Sequence, residues 1–128
     1  MEITYLVPLI VVILVIVFLI NTRKSKQPTN VEVYNKALKA IIDNNQERAF
    51  QILKDLIQKD SNNSEAYLLL GNLLRDRNIE KALKIHQSII VRPGLSKQIK
   101  IQVHQALGLD YIEMGNTIRA EDEFKNII

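Results

Sequence analysis

The strongest constraint on the fold is a short skeleton that occurs twice. Leu70-Gly71 is followed by Leu74 and, eleven residues after the glycine, by Ala82. Leu107-Gly108 is followed by Tyr111 and Gly115, then, twelve residues after its glycine, by Ala120 and finally Phe124. A weaker copy comes earlier, with Ala37 in the glycine position and Ala49 twelve residues on. The alanines Ala49, Ala82 and Ala120 are spaced 33 and 38 apart. Their role is steric: small residues on two successive helices let the helices press together. A helical hairpin of this kind buries its apolar face only by stacking on neighbours.

The chain around each skeleton carries helix signals. Thr29-Asn-Val-Glu32 fits a capping box, and Val33, Ala37, Ala40 and Ile41 follow at helical spacing. Asp43-Asn-Asn45 breaks that pattern. A second helix is expected over Gln46 to Lys59, with Ala49, Phe50, Leu53, Leu56 and Ile57 on one face. Ser64 is expected to cap a helix running from Glu65 to about Asp76. The next runs from about Ile79 to Val91 and stops at Pro93-Gly94. The eleven-residue interval from Gly71 to Ala82 implies that the turn Asp76-Arg-Asn78 lacks one residue. Ser96 reads as the cap of a helix reaching Met114, with Gly115 as its C-terminal stop. A last helix is expected from Thr117 to the final residue. This pattern resembles the tetratricopeptide repeat, a helix–turn–helix unit of about 34 residues. Repeats are expected at about 30–60, 64–93 and 96–128.

Ile3 to Ile20 is uncharged and almost wholly apolar. Eighteen helical residues span roughly 27 Å, enough for a bilayer core. A signal peptide would need a basic start and a small-residue cleavage site. Here the start is Met1-Glu2 and the cations Arg23, Lys24 and Lys26 follow the run. An uncleaved anchor at 1–20 and a polar linker at 21–29 are expected, with the cations holding the C-terminal side in the cytoplasm. The fold class is therefore all-α: a transmembrane helix, then a tetratricopeptide-repeat solenoid of about three units over 30–128. Four glycines and three prolines argue against an all-β alternative.

Little in the sequence points to catalysis. There is no cysteine, which excludes disulfides and thiolate metal sites within these residues. No Ser-His-Asp set, phosphate loop or His-Glu-x-x-His motif occurs. His86 and His104 occupy packing positions of their hairpins, aligned with Phe124 and Tyr67, and have no carboxylate beside them in sequence. Neither catalytic, cofactor-binding nor metal residues are expected. Arg75, Arg77, Lys81, Lys84, Arg92, Lys97 and Lys100 form a basic stretch against only Asp76 and Glu80. A solvated face accounts for it, and docking of an acidic partner or anionic lipid is the sharper alternative. Nucleic acid is not expected, since aromatic residues are not interleaved. The net charge of +3 is concentrated beside the apolar run, leaving the remainder close to neutral.

Repeats of this kind bind along the concave wall made by the first helix of each hairpin. The register places Tyr34, Leu38, Leu68, Asn72, Arg75, Gln105, Leu109 and Ile112 there. A clamp for peptide C-termini is not expected. Asn72 suits it, but Leu68, Gln102 and Ala106 occupy positions that would need basic or amide groups.

The individual residues carry a narrower resemblance. Ala66-Tyr-Leu-Leu-Leu-Gly-Asn-Leu-Leu-Arg-Asp-Arg77, Ala82-Leu-Lys-Ile-His-Gln87, Gln105-Ala-Leu-Gly-Leu-Asp-Tyr111 and Arg119-Ala-Glu-Asp-Glu-Phe124 resemble the lipopolysaccharide assembly protein B family. The resemblance implies a single-pass protein of the Gram-negative inner membrane, with a periplasmic N-terminus and cytoplasmic repeats. It implies an adaptor rather than an enzyme, one that presents the lipid A pathway deacetylase to the membrane protease FtsH. It also implies further repeats and a C-terminal rubredoxin-like metal module with four cysteines. Neither is found in these residues, so the sequence reads either as the front part of a longer protein or as a divergent one without the metal module. The alternative is a general membrane-tethered repeat scaffold for another envelope assembly.

Overall fold

The structure, a computed structural model, describes residues 3–22 and 27–128. Seven α-helices and no strands are present among the described residues: α1 (Ile3–Thr22), α2 (Asn30–Ile42), α3 (Gln46–Lys59), α4 (Ser64–Leu74), α5 (Ile79–Ile90), α6 (Lys97–Glu113) and α7 (Thr117–Lys125). The all-α expectation holds. α1 is long and apolar enough to cross a membrane, with a mean hydropathy of 3.2, and none of its residues is buried. It runs two residues beyond the expected end at Ile20. Arg23, Lys24 and Lys26 lie outside the described residues.

From α2 to α7 each helix start carries a side-chain cap. Thr29 and Glu32 form the reciprocal capping box: the Glu32 amide donates to Thr29 Oγ1 at 3.2 Å, and the Thr29 amide donates to Glu32 at 2.8 Å. Ser96 caps α6, and Asn45, Asn63, Asn78 and Asn116 cap the others. Asn63 takes the place expected of Ser64, which becomes the first helical residue. Asn63 Oδ1 accepts from the Ala66 amide at 3.0 Å, so the capping acceptor lies one residue before the serine hydroxyl. Thr29→Ala removes the Oγ1 acceptor of the Glu32 amide, keeps the backbone bond to Glu32, and is expected to cost about 1 kcal/mol. Because α2 begins the solenoid, the loss should appear as faster amide exchange at Glu32, with the exchange of α5 unchanged.

The hairpin turns explain the uneven spacing of the skeleton. In the first hairpin the Asn45 amide donates to Ala40 O and the Asn44 amide to Ile41 O. In the third, Asn116 donates to Tyr111 O and Gly115 to Ile112 O, the same pair of bonds. Both turns need one left-handed residue, Asn44 (φ 56°) or Gly115 (φ 73°). The second hairpin has none. Its cap Asn78 arrives one residue sooner and donates to Leu74 O. The residue missing between Gly71 and Ala82 is thus the left-handed one, and α4 stops at Leu74 rather than Asp76. α7 also ends early, at Lys125, and the last residues form a turn.

α2/α3, α4/α5 and α6/α7 are the three hairpins, as tetratricopeptide repeats are built. α3 packs on α4, α5 on α6, and the first helices α4 and α6 also touch. Ala37, Leu53, Leu56, Ala66, Leu70, Leu74 and Ala82 form the core joining the first two hairpins. Leu68, Ile89, Val103, Ala106 and Leu107 join the second and third. The reference alanines Ala49, Ala82 and Ala120 are all buried. Four residues after each alanine a large side chain fills the hairpin: Leu53, His86 and Phe124. A Cβ placed on Gly71 would meet three ring atoms of His86 within 2.9 Å, and one on Gly108 would meet three of Phe124 within 2.9 Å.

Candidate functional site

A groove of about 630 Å³ runs along the first helices. Tyr34 of α2 stands at one side. Glu65, Leu68, Leu69 and Asn72 of α4, with Arg75 just after it, form the floor. Gln102, Gln105, Ala106 and Leu109 of α6 form the other wall. Six of the eight residues assigned to the concave face from the repeat register therefore meet here: Tyr34, Leu68, Asn72, Arg75, Gln105 and Leu109. Leu38 is half-buried elsewhere on α2. Ile112 lies beyond the groove and lines a separate apolar depression with Ala120, Phe124 and Ile128. The solenoid turns between hairpins, so one turn further along α6 the side chains no longer face α4.

The groove is mixed in character. Leu68, Leu69 and Leu109 offer apolar contact, and Asn72, Gln102 and Gln105 offer amides that can pair with an extended peptide backbone. Burial, and then the carboxylate of Glu65, push the Tyr34 phenol above its ordinary pKa, so it is a neutral hydroxyl at physiological pH. Arg75 is the lone cation and Glu65 the lone carboxylate among the lining residues.

Arg75 is held from behind. Its Nε donates to Asp110 Oδ1 at 2.7 Å, and its Nη2 donates to Asn72 Oδ1 at 2.8 Å and to Ala106 O at 3.3 Å. The other oxygen of Asp110 accepts from His86 Nδ1, and His86 Nε2 lies 3.3 Å from Leu68 O. His86 and Asp110 are fully buried. This corrects the reading of the two histidines as lacking a carboxylate: His86 pairs with Asp110, and His104 pairs with Glu123 at 2.7 Å. The partners lie 24 and 19 residues away in sequence, and stacking brings them together. One signal was available. A histidine in a slot filled elsewhere by Leu53 and Phe124 requires a buried hydrogen-bond partner, and Asp110 is the one acid within the run Ala106 to Tyr111.

The basic stretch is partly consumed by structure. Besides Arg75, Arg77 pairs with Glu47 at 3.1 Å, and that bond, followed by one from Gln51, holds the Glu47 carboxyl below its usual pKa. Arg92 stacks 4.3 Å over the Tyr67 ring and donates to Ser64 Oγ. Lys81, Lys84, Lys97 and Lys100 remain exposed. Among the described residues no three His, Asp or Glu side chains gather as a metal site.

Over 95 residues, 73% of the chain, the sequence is 33% identical to lipopolysaccharide assembly protein B of Escherichia coli strain K12. It is 30% identical over 98 residues to lipopolysaccharide assembly protein B of Haemophilus influenzae. The chain is homologous to lipopolysaccharide assembly protein B. No family model matches it. The chain spans about a quarter of the length of these relatives, 24% and 25% respectively. The resemblance drawn from Gly71-Asn72, Ile85-His86-Gln87 and Arg119-Ala120-Glu121-Asp122 thus points to the same protein that the chain matches at 30–33% identity over about 95 residues. All three pieces contain a groove or buried residue: Asn72, His86 and Ala120.

Proposed function

We propose that this chain acts in lipopolysaccharide assembly as a membrane-tethered, non-catalytic adaptor that docks a protein segment in its concave groove. The observation that carries the reading is the groove itself, where apolar and amide side chains from three helices face one channel. A peptide lying there gains apolar contact and backbone hydrogen bonds together. The names of the relatives support the process, and α1 supports the tether. The anchor lies in the inner membrane with its N-terminus in the periplasm and the repeats in the cytoplasm. Tethering raises the effective concentration of the groove near membrane partners without any added contact.

The partners, on this reading, are the lipid A pathway deacetylase and the protease FtsH. A photo-crosslinking residue placed at Leu109, which is 46% exposed, tests it in the full chain within the bacterial envelope. Crosslinks to the deacetylase or to FtsH are expected, and none should form from the same residue at Arg48 on the outer face. Crosslinks to neither protein from Leu109 or from Gln105 would overturn the assignment of partners.

A further inference from the structure

We infer that Arg75 is a preorganised docking point for a carboxylate side chain of the bound segment, held in place by the buried His86–Asp110 pair. The inference rests on the groove reading above and names the chemistry the groove selects.

A guanidinium has five N–H donors in a planar fork. Three of them are committed: Nε to Asp110, and Nη2 to Asn72 and to the Ala106 carbonyl. Nη1 has no protein partner among the described residues, and no buried side-chain nitrogen or oxygen lacks one. Nη1 is therefore the edge that faces the groove. The three committed bonds come from α4, α6 and the α6 backbone. They remove the rotamer freedom that an arginine ordinarily gives up on binding, so less is lost when a ligand is engaged.

An uncommitted guanidinium N–H favours a charged acceptor in front of it. Asp110 spends one oxygen on Arg75 and the other on His86, so its single charge is shared between two basic groups. His86 faces acceptors at both ring nitrogens, Asp110 on one side and the Leu68 carbonyl on the other. Arg75 itself lines the groove, so its uncommitted edge is the donor the groove offers. Glu65, at the other end of α4, lies ten residues away, or roughly 15 Å along the helix. It leaves the carboxylate preference at Arg75 unopposed. A carboxylate accepting an N–H bond from Nη1, flanked by apolar residues against Leu68 and Leu109, fits this surface.

The test is selection of a phage-displayed random peptide library on the full chain in lipid nanodiscs. Enriched peptides are expected to share one Asp or Glu position. Replacing that acid by its amide should weaken binding to the unaltered protein about tenfold, the value of a charge-assisted hydrogen bond. This arm changes only the peptide, so it stands even where Arg75→Gln fails to fold. Where Arg75→Gln does fold, acid and amide peptides should bind it equally. Peptides that lose binding on Leu109→Arg but show no acid preference would overturn the role of Arg75 and leave the groove reading intact. Failure to enrich any peptide that depends on Leu109 would overturn both.

Discussion

Asp110→Asn is expected to destabilise the solenoid by about 3–5 kcal/mol, the cost of breaking a buried ion pair from one side. Asp110 has no solvent exposure and accepts from Arg75 and His86 on its two oxygens. The substitution keeps the shape but replaces one oxygen by an amide that must face a donor. It also leaves the basic groups without their shared counter-charge. Domain stabilities lie around 5–15 kcal/mol, so the loss is a large fraction of the total. For about 100 residues the thermal midpoint should fall by roughly 12 °C or more. Helical circular dichroism of the full chain in detergent measures it. Asp122→Asn, on the exposed face of α7, should leave the midpoint within about 2 °C. An Asp110→Asn protein that melts with the parent would show that the three-residue joint adds nothing.

Gly71→Ala is expected to destabilise, against the ordinary direction of the change. In a helix interior the substitution normally stabilises by about 1 kcal/mol. At Gly71 the new methyl would overlap the His86 ring, with three atoms inside 2.9 Å. The ring has nowhere to go, since Asp110 holds one of its nitrogens and α6 covers it. Overpacking of this kind costs about 1–3 kcal/mol, and the pinned ring puts the cost at the upper end. A net loss of about 2 kcal/mol follows. Gly108→Ala provides the contrast. Its methyl would overlap Phe124 just as closely, but Phe124 is only half-buried and borders the open depression beside Ile112 and Ile128. The ring can turn outward, so the loss should stay below about 1 kcal/mol. Equal melting shifts for the two alanine variants would refute the idea that the His86–Asp110 bond decides the difference.

Much of the fold was legible because its signals are local. The intervals Ala37–Ala49, Gly71–Ala82 and Gly108–Ala120 report how two adjacent helices fit, and both helices lie within one short stretch. The left-handed residues Asn44 and Gly115, and the absence of one from the second hairpin, are visible as a one-residue difference in spacing. Errors at helix ends were small and local: Asn63 and Ser64 are both good caps, and spacing alone does not choose between them. The groove was less legible. Tyr34, Leu68, Asn72, Arg75, Gln105 and Leu109 share a repeat position and meet, whereas Leu38 and Ile112 share it and do not. The turn between successive hairpins decides which residues remain on one wall.

What the sequence by itself determined is every feature set within about a dozen residues: the apolar helix α1, the three hairpins, their caps, and the small residues at their crossings. Hydrophobic period, capping and turn chemistry act over that range. What only the tertiary structure decided is the joint between hairpins. Arg75, His86 and Asp110 come from α4's end, α5 and α6, up to 35 residues apart, and none of their local patterns names the others. His86 announces a need for a partner, but only the stacking of the third hairpin on the second supplies Asp110, and with it the fixed orientation of Arg75 in the groove.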